Sequence, residues 1–321
     1  MMKLITRSAA ALIMVFGLNS CLPEVESEMD KIIERDDQLL QTYITQNNIE
    51  AQKTQMGFYY VKELEVESGT QIANNSILGI YYNIKTIDGQ LIESYTPADG
   101  EPRLFLHGET GIIPRVINFA AGLAKEGEVI KLYAPSYLAY GNYGYQQLIL
   151  PNSNLDLTVT FAKIYTADQL KAMEDQQIQA FIAANQLEGF TKTEEGAYMR
   201  VMEPGEADSK VTENGSNIRF NYELFHLNET EPFLRGAQDS GAANIILGAQ
   251  NNLKFLNIAL KGIKKEAKVE LLTPSHLGYG PTIQVIPERI RQDLIQKELI
   301  QDRVKTYQPI RFVARLKAIA Q

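Results

Sequence analysis

The stretch that decides the fold is APSYLAYG at residues 134–141, because the chain repeats it as TPSHLGYG at residues 273–280. The two copies are offset by 139 residues. Upstream, DQLLQTYITQNNIE from Asp37 returns as DQQIQAFIAANQLE from Asp175, at an offset of 138. A third pair, LHG against ILG, falls between them at an offset of 140. Three matches in one order at nearly one spacing indicate that the chain is an internal duplication.

Each copy opens with a helical pattern and continues with strand patterns. Apolar residues from Met29 to Ile44 recur at helical spacing after a possible N-cap at Ser27, and the second copy repeats this after Thr166. Aromatic and β-branched runs follow, and Asp88-Gly89 predicts a type I′ hairpin turn. We therefore expect an α+β fold with two domains, each a curved antiparallel sheet over a short helix and each preceded by an amphipathic helix.

The N-terminus reads MMKLITRSAAALIMVFGLNSC, with two basic residues before a short apolar run that ends at Cys21. This run is typical of a secretory signal and is shorter than the ~20 apolar residues of a spanning helix. A small residue before cysteine resembles a bacterial lipobox, so we expect Cys21 to carry lipid, including palmitate, and to anchor the protein to the membrane of the cell envelope, on the periplasmic or outer-membrane side. The alternative is an ordinary signal peptide whose cysteine is incidental.

Composition excludes several function classes. Cys21 is the only cysteine, so disulfides and cysteine-zinc sites are not expected. The three histidines, at 107, 226 and 276, are too scattered to predict a metal centre. The net charge is −8, without a basic block, which argues against nucleic acid as a partner. We expect neither a cofactor nor a metal.

The order of motifs resembles the FKBP-type peptidyl-prolyl isomerases. The motifs are a tyrosine strand, a DG hairpin, a P-x-x-F-x-x-G-like strand, an IIP helix start, the LAYG loop and an aliphatic-Pro-Asn run. The resemblance covers about residues 57–165, most strongly from Ile80 onward, and extends more faintly to residues 196–321. It implies rotation of an X-Pro amide over a barrier of ~18–20 kcal/mol, which breaks no σ bond and needs no nucleophile.

The resemblance also implies site residues in the first copy. Tyr140 matches the tyrosine whose hydroxyl donates to a ligand carbonyl, and Tyr82 matches a pocket tyrosine before the hairpin. Glu93 stands where the family has aspartate. Ile112-Ile113 matches the aliphatic pair whose second backbone N–H binds the ligand. These matches make Tyr140, Glu93 and Tyr82 the candidate catalytic residues.

Three other positions depart from the family pattern. Ile92 replaces a phenylalanine, Val116 stands where a tryptophan commonly forms the pocket floor, and Leu157 stands where an aromatic residue often occurs. These changes lower the catalytic efficiency that the resemblance would imply. The expected substrate pocket comprises Ile92, Phe105, Ile112, Ile113, Val116, Ile149 and Leu157.

The second copy keeps Tyr222 and Tyr279 but replaces the DG turn with Asn228-Glu229 and has no IIP sequence. We interpret it as the more degenerate copy, a binding or structural module. After Pro287 comes a charged helical insertion, whose alternating charges are typical of a solvated face. The alternatives are a lid or a partner surface. The expected segments are 1–21 (signal peptide), 22–56 (linker and N-terminal helix), 57–165 (first domain), 166–195 (connecting helix) and 196–321 (second domain, insertion at about 287–305).

Three hypotheses of function follow. The leading one is a prolyl isomerase of the cell envelope, acting on proline-containing or unfolded exported polypeptides mainly through the first domain. The alternative is a non-catalytic chaperone or peptide-binding lipoprotein that uses the same grooves. A third is an assembly factor whose N-terminal helices form a homodimer.

Overall fold

A computed structural model describes residues 27–108, 111–236 and 241–320 of the chain. The predicted signal peptide and Cys21 lie outside the described residues.

The first helix, α1 (Glu28–Gln46), begins at the predicted cap. Ser27 Oγ accepts from the backbone N–H of Asp30, whose carboxylate accepts from the backbone N–H of Ser27, each at 3.1 Å. On the inner face, the carboxylate of Asp36 is fully buried and accepts from Ser136 N at 2.8 Å and from Ser136 Oγ at 2.6 Å. These contacts attach α1 to the first domain.

An apolar cluster under α1 completes this attachment. Leu40 is fully buried and shares the cluster with Tyr59 and Tyr133 of the sheet. Tyr43 and Ile44 of the predicted helical stripe pack against this cluster, whereas Met29 and Ile33 are exposed. Homodimerisation through this helix stays a prediction.

The first domain is a sheet of antiparallel strands in the order β1-β2-β7-β8-β3-β4, and β5 also pairs with β3. Alternating apolar residues along β3 and β8 bury one face of this sheet against the short helix α2. The elements are β1 (Gln52–Lys53), β2 (Tyr59–Leu64), β3 (Ile77–Thr86), β4 (Leu91–Tyr95), β5 (Arg103–Leu106), β6 (Ile112–Ile113), α2 (Val116–Ala121), β7 (Val129–Ala134) and β8 (Leu155–Tyr165).

The predicted hairpin joins β3 to β4, but its turn is not of type I′. That type needs positive φ at both central residues, and only Gly89, at +96°, has it here. The register between the strands shifts after Ile84, which pairs with Glu93, so that Lys85 pairs with Leu91. A bulge beside the turn thus replaces the second positive φ.

The second domain repeats this architecture, with strand order β12-β11-β16-β14-β10-β9 and β13 on β11. The predicted α+β fold with two equivalent domains is therefore confirmed. The elements are α3 (Ala167–Ala184), β9 (Thr191–Lys192), β10 (Tyr198–Glu203), β11 (Asn217–His226), β12 (Leu234–Gly236), β13 (Ala243–Ile246), α4 (Lys254–Leu260), β14 (Lys268–Thr273), β15 (Gln284–Val285), α5 (Arg291–Gln296) and β16 (Ile310–Ala320).

The helix α3 attaches to its sheet as α1 does, with one chemical difference. Glu174 is fully buried where α1 has Asp36, and its Oε2 accepts from Ser275 N at 2.9 Å. No described residue hydrogen bonds to the other carboxylate oxygen. Burial raises the pKa of Glu174 to about 7.

One segment of the second domain leaves its own sheet. The strand β15 pairs in parallel with β6 of the first domain, with Gln284 opposite Ile112 and Val285 opposite Ile113. We call residues 284–297 the docking segment. The peptide bonds Ile113–Pro114 and Ile286–Pro287 are both cis.

Candidate functional site

The loop after β7 positions Tyr140. A 3₁₀ turn at Ser136–Leu138 follows the strand, and Gly141 N closes the loop by donating to Ser136 O at 2.8 Å. Tyr140 Oη donates to the carbonyl oxygen of Ile286 in the docking segment, at 2.8 Å. Burial raises the pKa of the phenol well above its usual range. The hydroxyl is therefore a permanent hydrogen-bond donor at neutral pH.

Tyr82 and Glu93 form a pair across β3 and β4. The Tyr82 hydroxyl donates to Glu93 Oε2 at 2.7 Å, and its ring stacks on Tyr95 with centroids 5.9 Å apart. Burial, followed by the neighbouring carboxylate, raises the pKa of Tyr82. The negative charge of Glu93 also raises the pKa of Tyr140. The three candidate catalytic residues are thus electrostatically linked, but only Tyr140 contacts a peptide carbonyl.

The predicted pocket residues form one apolar cluster. Six of the seven are at most 1 % exposed, and Ile113 packs against them. The same cluster includes Val285 and Ile286 of the docking segment, together with Ile290, Leu294 and Ile300. The structure brings the predicted pocket together, and the second domain fills it. The six buried residues are Ile92, Phe105, Ile112, Val116, Ile149 and Leu157.

Backbone hydrogen bonds hold the start of the docking segment in this pocket. Gln284 N donates to Gly111 O and Ile286 N donates to Ile113 O, each at 2.9 Å. The family resemblance implied that Ile113 offers its N–H to a ligand. In the contact with the docking segment, the Ile113 carbonyl oxygen also takes part, because it accepts from Ile286 N beside the parallel pairing of β6 with β15.

Side-chain contacts hold the rest of the docking segment. Arg289 donates to the carbonyl oxygen of Ile92 at 2.7 Å, and the Tyr143 hydroxyl donates to Asp293 at 2.6 Å. Lys297 donates to the carbonyl oxygen of Gly144 at 3.2 Å. These contacts join the docking segment to β4 and to the loop that follows Tyr140.

The prediction that the insertion is a solvated helical face is wrong. Its helix α5 is short, and Ile290 and Leu294 are buried in the first domain's cluster. Arg291 is also buried and donates to the carbonyl oxygens of Ile283 at 2.7 Å and Asp302 at 3.2 Å. Alternating charge was misleading because the buried arginine donates to backbone carbonyls and pairs with the Glu288 carboxylate at 3.0 Å instead of facing water.

The hydrogen bond to Ile286 has a chemical consequence. Its acceptor is the carbonyl oxygen of the Ile286–Pro287 amide itself. Amide resonance places negative charge on this oxygen, so a donor there favours the planar amide over the twisted one. Tyr140 therefore fixes the docking segment as a bound ligand and does not assist rotation of its amide.

The second domain contains a corresponding cavity of about 180 Å³. Its lining is apolar and aromatic, and Tyr222, Leu234 and Tyr279 at its rim are partly exposed. The lining residues are Phe220, Tyr222, Leu224, Leu234, Ala243, Ile245, Leu253, Phe255, Leu256, Tyr279 and Phe312.

Phe255 occupies the position of Val116. Asn118 Oδ1 accepts from Gly108 N in the first domain, and Asn257 Oδ1 accepts from Gly248 N in the second. These equivalent asparagines fix the helix register at an offset of 139 residues. The second domain thus has an aromatic side chain where the first has none.

Phe312 occupies the position of Leu157, and Phe233 occupies the position of Ile92. Ile84 pairs with Leu157 in the first domain, and Leu224 pairs with Phe312 in the second. The pairing of Leu224 with Leu234 likewise places Phe233 where Ile92 stands. The second copy, which we interpreted as the more degenerate one, thus has aromatic side chains at all three of these positions.

Sequence reasoning could have found Phe255 by applying the repeat offset to Val116. Phe312 is harder to find because the insertion raises the local offset from 139 to 155, from Leu157 to Phe312. In the lining, the rings of Phe255 and Phe312 pack edge to face, with their centroids 5.1 Å apart.

Tyr279, the counterpart of Tyr140, lies beside Phe255, with ring centroids 6.3 Å apart. No described residue hydrogen bonds to its hydroxyl, whereas the Tyr140 hydroxyl is engaged by the docking segment. Burial raises the pKa of Tyr279, so the phenol is a neutral donor at the edge of the cavity.

Within residues 27–108, 111–236 and 241–320, no three His, Cys, Asp or Glu side chains are grouped to hold a metal ion. No helix in the same part of the chain combines the length and apolarity needed to span a membrane.

Comparison with known proteins identifies the first domain. Residues 68–162 match the sequence model of the family described as FKBP-type peptidyl-prolyl cis-trans isomerase. No curated protein matches the chain.

Three solved structures are similar to this chain at low sequence identity. The three FKBP domains of wheat FKBP73 share 13 % identity and a TM-score of 0.33, over 83 % of this chain and 96 % of that one. A peptidyl-prolyl cis-trans isomerase from Pseudomonas syringae shares 17 % identity and a TM-score of 0.34, over 50 % of this chain and 100 % of that one. FkpA from Escherichia coli shares 16 % identity and a TM-score of 0.33, over 47 % of this chain and 62 % of that one.

The repeated sheet and helix, the tyrosine loop and the match of residues 68–162 lead to one assignment. The chain contains an FKBP-type peptidyl-prolyl cis-trans isomerase domain, joined to a second domain of the same architecture.

Proposed function

We propose that this FKBP-type isomerase acts on proline-containing segments of exported polypeptides in the cell envelope. The observation that carries the proposal is the docking segment: an Ile-Pro pair of this chain lies in the first domain's apolar cluster, with its carbonyl oxygen bound by Tyr140 at 2.8 Å. The pocket of this protein therefore suits an aliphatic residue followed by proline.

The same contacts limit what the first domain does in this state. Its pocket residues share one buried cluster with Val285 and Ile286 of the docking segment, which also pairs with β6. The proposal that the first domain acts on other chains thus requires departure of the docking segment. The chemistry itself needs only an apolar enclosure and fixed donors, because rotating an amide breaks no σ bond.

The proposed location rests on the sequence MMKLITRSAAALIMVFGLNSC. A short apolar run with basic flanks that ends at a cysteine supports export and lipid anchoring. Exported, incompletely folded chains with X-Pro bonds are then the available substrates. Their isomerisation takes tens to hundreds of seconds without catalysis.

The test is the rate of cis-trans exchange of an Ile-Pro peptide, measured by NMR with the purified mature chain. We expect the catalysed exchange to exceed the buffer rate. Exchange at the buffer rate, combined with suppressed aggregation of an unfolded protein, would instead support the alternative function of a non-catalytic, peptide-binding chaperone.

A further inference from the structure

We propose that the second domain's aromatic cavity is the open peptide-binding site of this chain, and that it takes an apolar side chain or proline ring from an extended polypeptide segment. This inference rests on the proposed function and specifies which of the two domains meets the substrate. It reverses the expectation that the first domain is the main site.

The docking segment in the first domain shows how the repeated unit binds a peptide. In the first domain, an extended segment inserts Ile286 into the apolar cluster and presents its carbonyl oxygen to Tyr140. This shows which ligand chemistry the repeated unit accepts: an aliphatic-Pro pair with one carbonyl beside the loop tyrosine.

The second domain has the equivalent loop tyrosine and cavity, and its tyrosine hydroxyl has no hydrogen-bond partner among the described residues. Tyr279 stands at the position of Tyr140, and no described residue hydrogen bonds to its hydroxyl. Among the described residues, those that line this cavity all belong to the second domain itself, while the docking segment is held by the first domain through β6. A ligand carbonyl would give Tyr279 the partner that Ile286 gives Tyr140.

The lining of the second domain's cavity is aromatic. Phe255 and Phe312 form an aromatic floor in edge-to-face contact, and Tyr222 lies beside Phe312 with centroids 6.5 Å apart. Aromatic surfaces bury a large apolar area without losing much side-chain freedom, which suits a dry pocket for a proline ring. The first domain has Val116 and Leu157 at the same two positions.

The volume of the cavity limits what can occupy it. The cavity of about 180 Å³ is smaller than the roughly 300–1,000 Å³ typical of sites for drug-sized ligands. It fits one side chain or ring, with the rest of the peptide outside. An extended polypeptide is therefore a better occupant than a cofactor or a large small molecule.

The experiment uses a feature of composition, since the chain contains no tryptophan. A peptide with one tryptophan next to an Ile-Pro pair can therefore be excited selectively, and its fluorescence anisotropy reports binding to the intact mature chain. Two variants test the cavity: Tyr279→Phe removes the hydroxyl, and Ala243→Trp narrows the cavity. Because Ala243→Trp adds a tryptophan to the protein, peptide binding to this variant is followed with a dye-labelled version of the peptide. The matched control is Tyr198→Phe, which removes a hydroxyl that donates to Asp175 elsewhere in this domain.

We expect Tyr279→Phe to weaken binding about two- to tenfold, in line with one neutral hydrogen bond. Ala243→Trp should weaken it more than tenfold, while Tyr198→Phe should leave it unchanged. Circular dichroism spectra of the variants identify any that fail to fold. A defect in Tyr140→Phe without one in Tyr279→Phe would place the site in the first domain and overturn the inference, as would the absence of binding to the wild-type chain.

The two proposals fail separately. If the wild-type chain catalyses exchange and the cavity variants retain full activity and binding, the assignment to the second domain is wrong and the proposed function stands. If the chain binds the peptide through Tyr279 without accelerating exchange, the binding site stands and the catalytic proposal is wrong.

Discussion

Replacing Ile286 by alanine should release the docking segment from the first domain. Ile286 is fully buried in that domain's cluster, while its backbone N–H and carbonyl make hydrogen bonds that alanine can also make. The substitution therefore removes mainly apolar contacts. Deleting a buried isoleucine side chain in this way costs about 2–5 kcal/mol, as lost transfer energy and a residual cavity.

The docked state loses this energy, because the undocked segment does not bury the side chain. At about 1.4 kcal/mol per factor of ten, the population of the undocked state should rise by roughly 30-fold or more. Limited trypsin digestion measures this directly, since Arg289 and Lys297 lie in the docking segment. Mass spectrometry should show faster cleavage at these two residues.

The control is Ile218→Ala, which deletes the same atoms from the second domain's separate cluster. It should lower the free energy of unfolding without accelerating cleavage at Arg289 and Lys297 selectively. Equal cleavage rates in Ile286→Ala and Ile218→Ala would refute the reasoning, because they would mean that burial of Ile286 does not hold the segment in place.

Three further predictions follow from the same contacts. Ile286→Ala should raise the stoichiometry of the tryptophan peptide from one to two per chain by opening the first pocket, and calorimetry that still gives one would contradict this. Because burial raises the pKa of Glu174 to about 7 from 4.5, its stabilising contribution is complete below pH 4.5 and is lost as the pH rises through 7. This amounts to about 3 kcal/mol, and urea unfolding of Glu174→Gln should lack that pH dependence; parallel curves would rule the explanation out. Cys21→Ala should abolish lipid labelling and membrane association, and unchanged fractionation would count against the anchor.

The sequence was sufficient to predict the duplication and the α+β class, because the loop octapeptide and the helix motif recur at nearly one spacing. It also singled out Tyr140, whose hydroxyl donates to the carbonyl oxygen of Ile286. These features depend on local patterns, which a single sequence displays directly.

Occupation of the pocket could not be predicted in the same way. The contact between Tyr140 and Ile286 joins residues 146 positions apart in the chain. A charged helical pattern does not reveal that Arg291 is buried, because two of its partners are backbone carbonyls, which every residue has. Another partner, Glu288, lies three residues earlier and could pair with it equally well on a solvated face. The position of Phe312 was likewise hidden by the insertion, which changes the repeat offset before β16.

The docking segment is tethered, so its competition with other peptides is governed by effective concentration. A ligand attached to its receptor by a flexible link acts at a local concentration on the order of millimolar. Here the attachment is a folded domain that already presents β15 to β6. A free peptide with the same intrinsic affinity must therefore reach at least a comparable concentration before it occupies half of the first domain's pockets. Assays at micromolar peptide would report only the second domain.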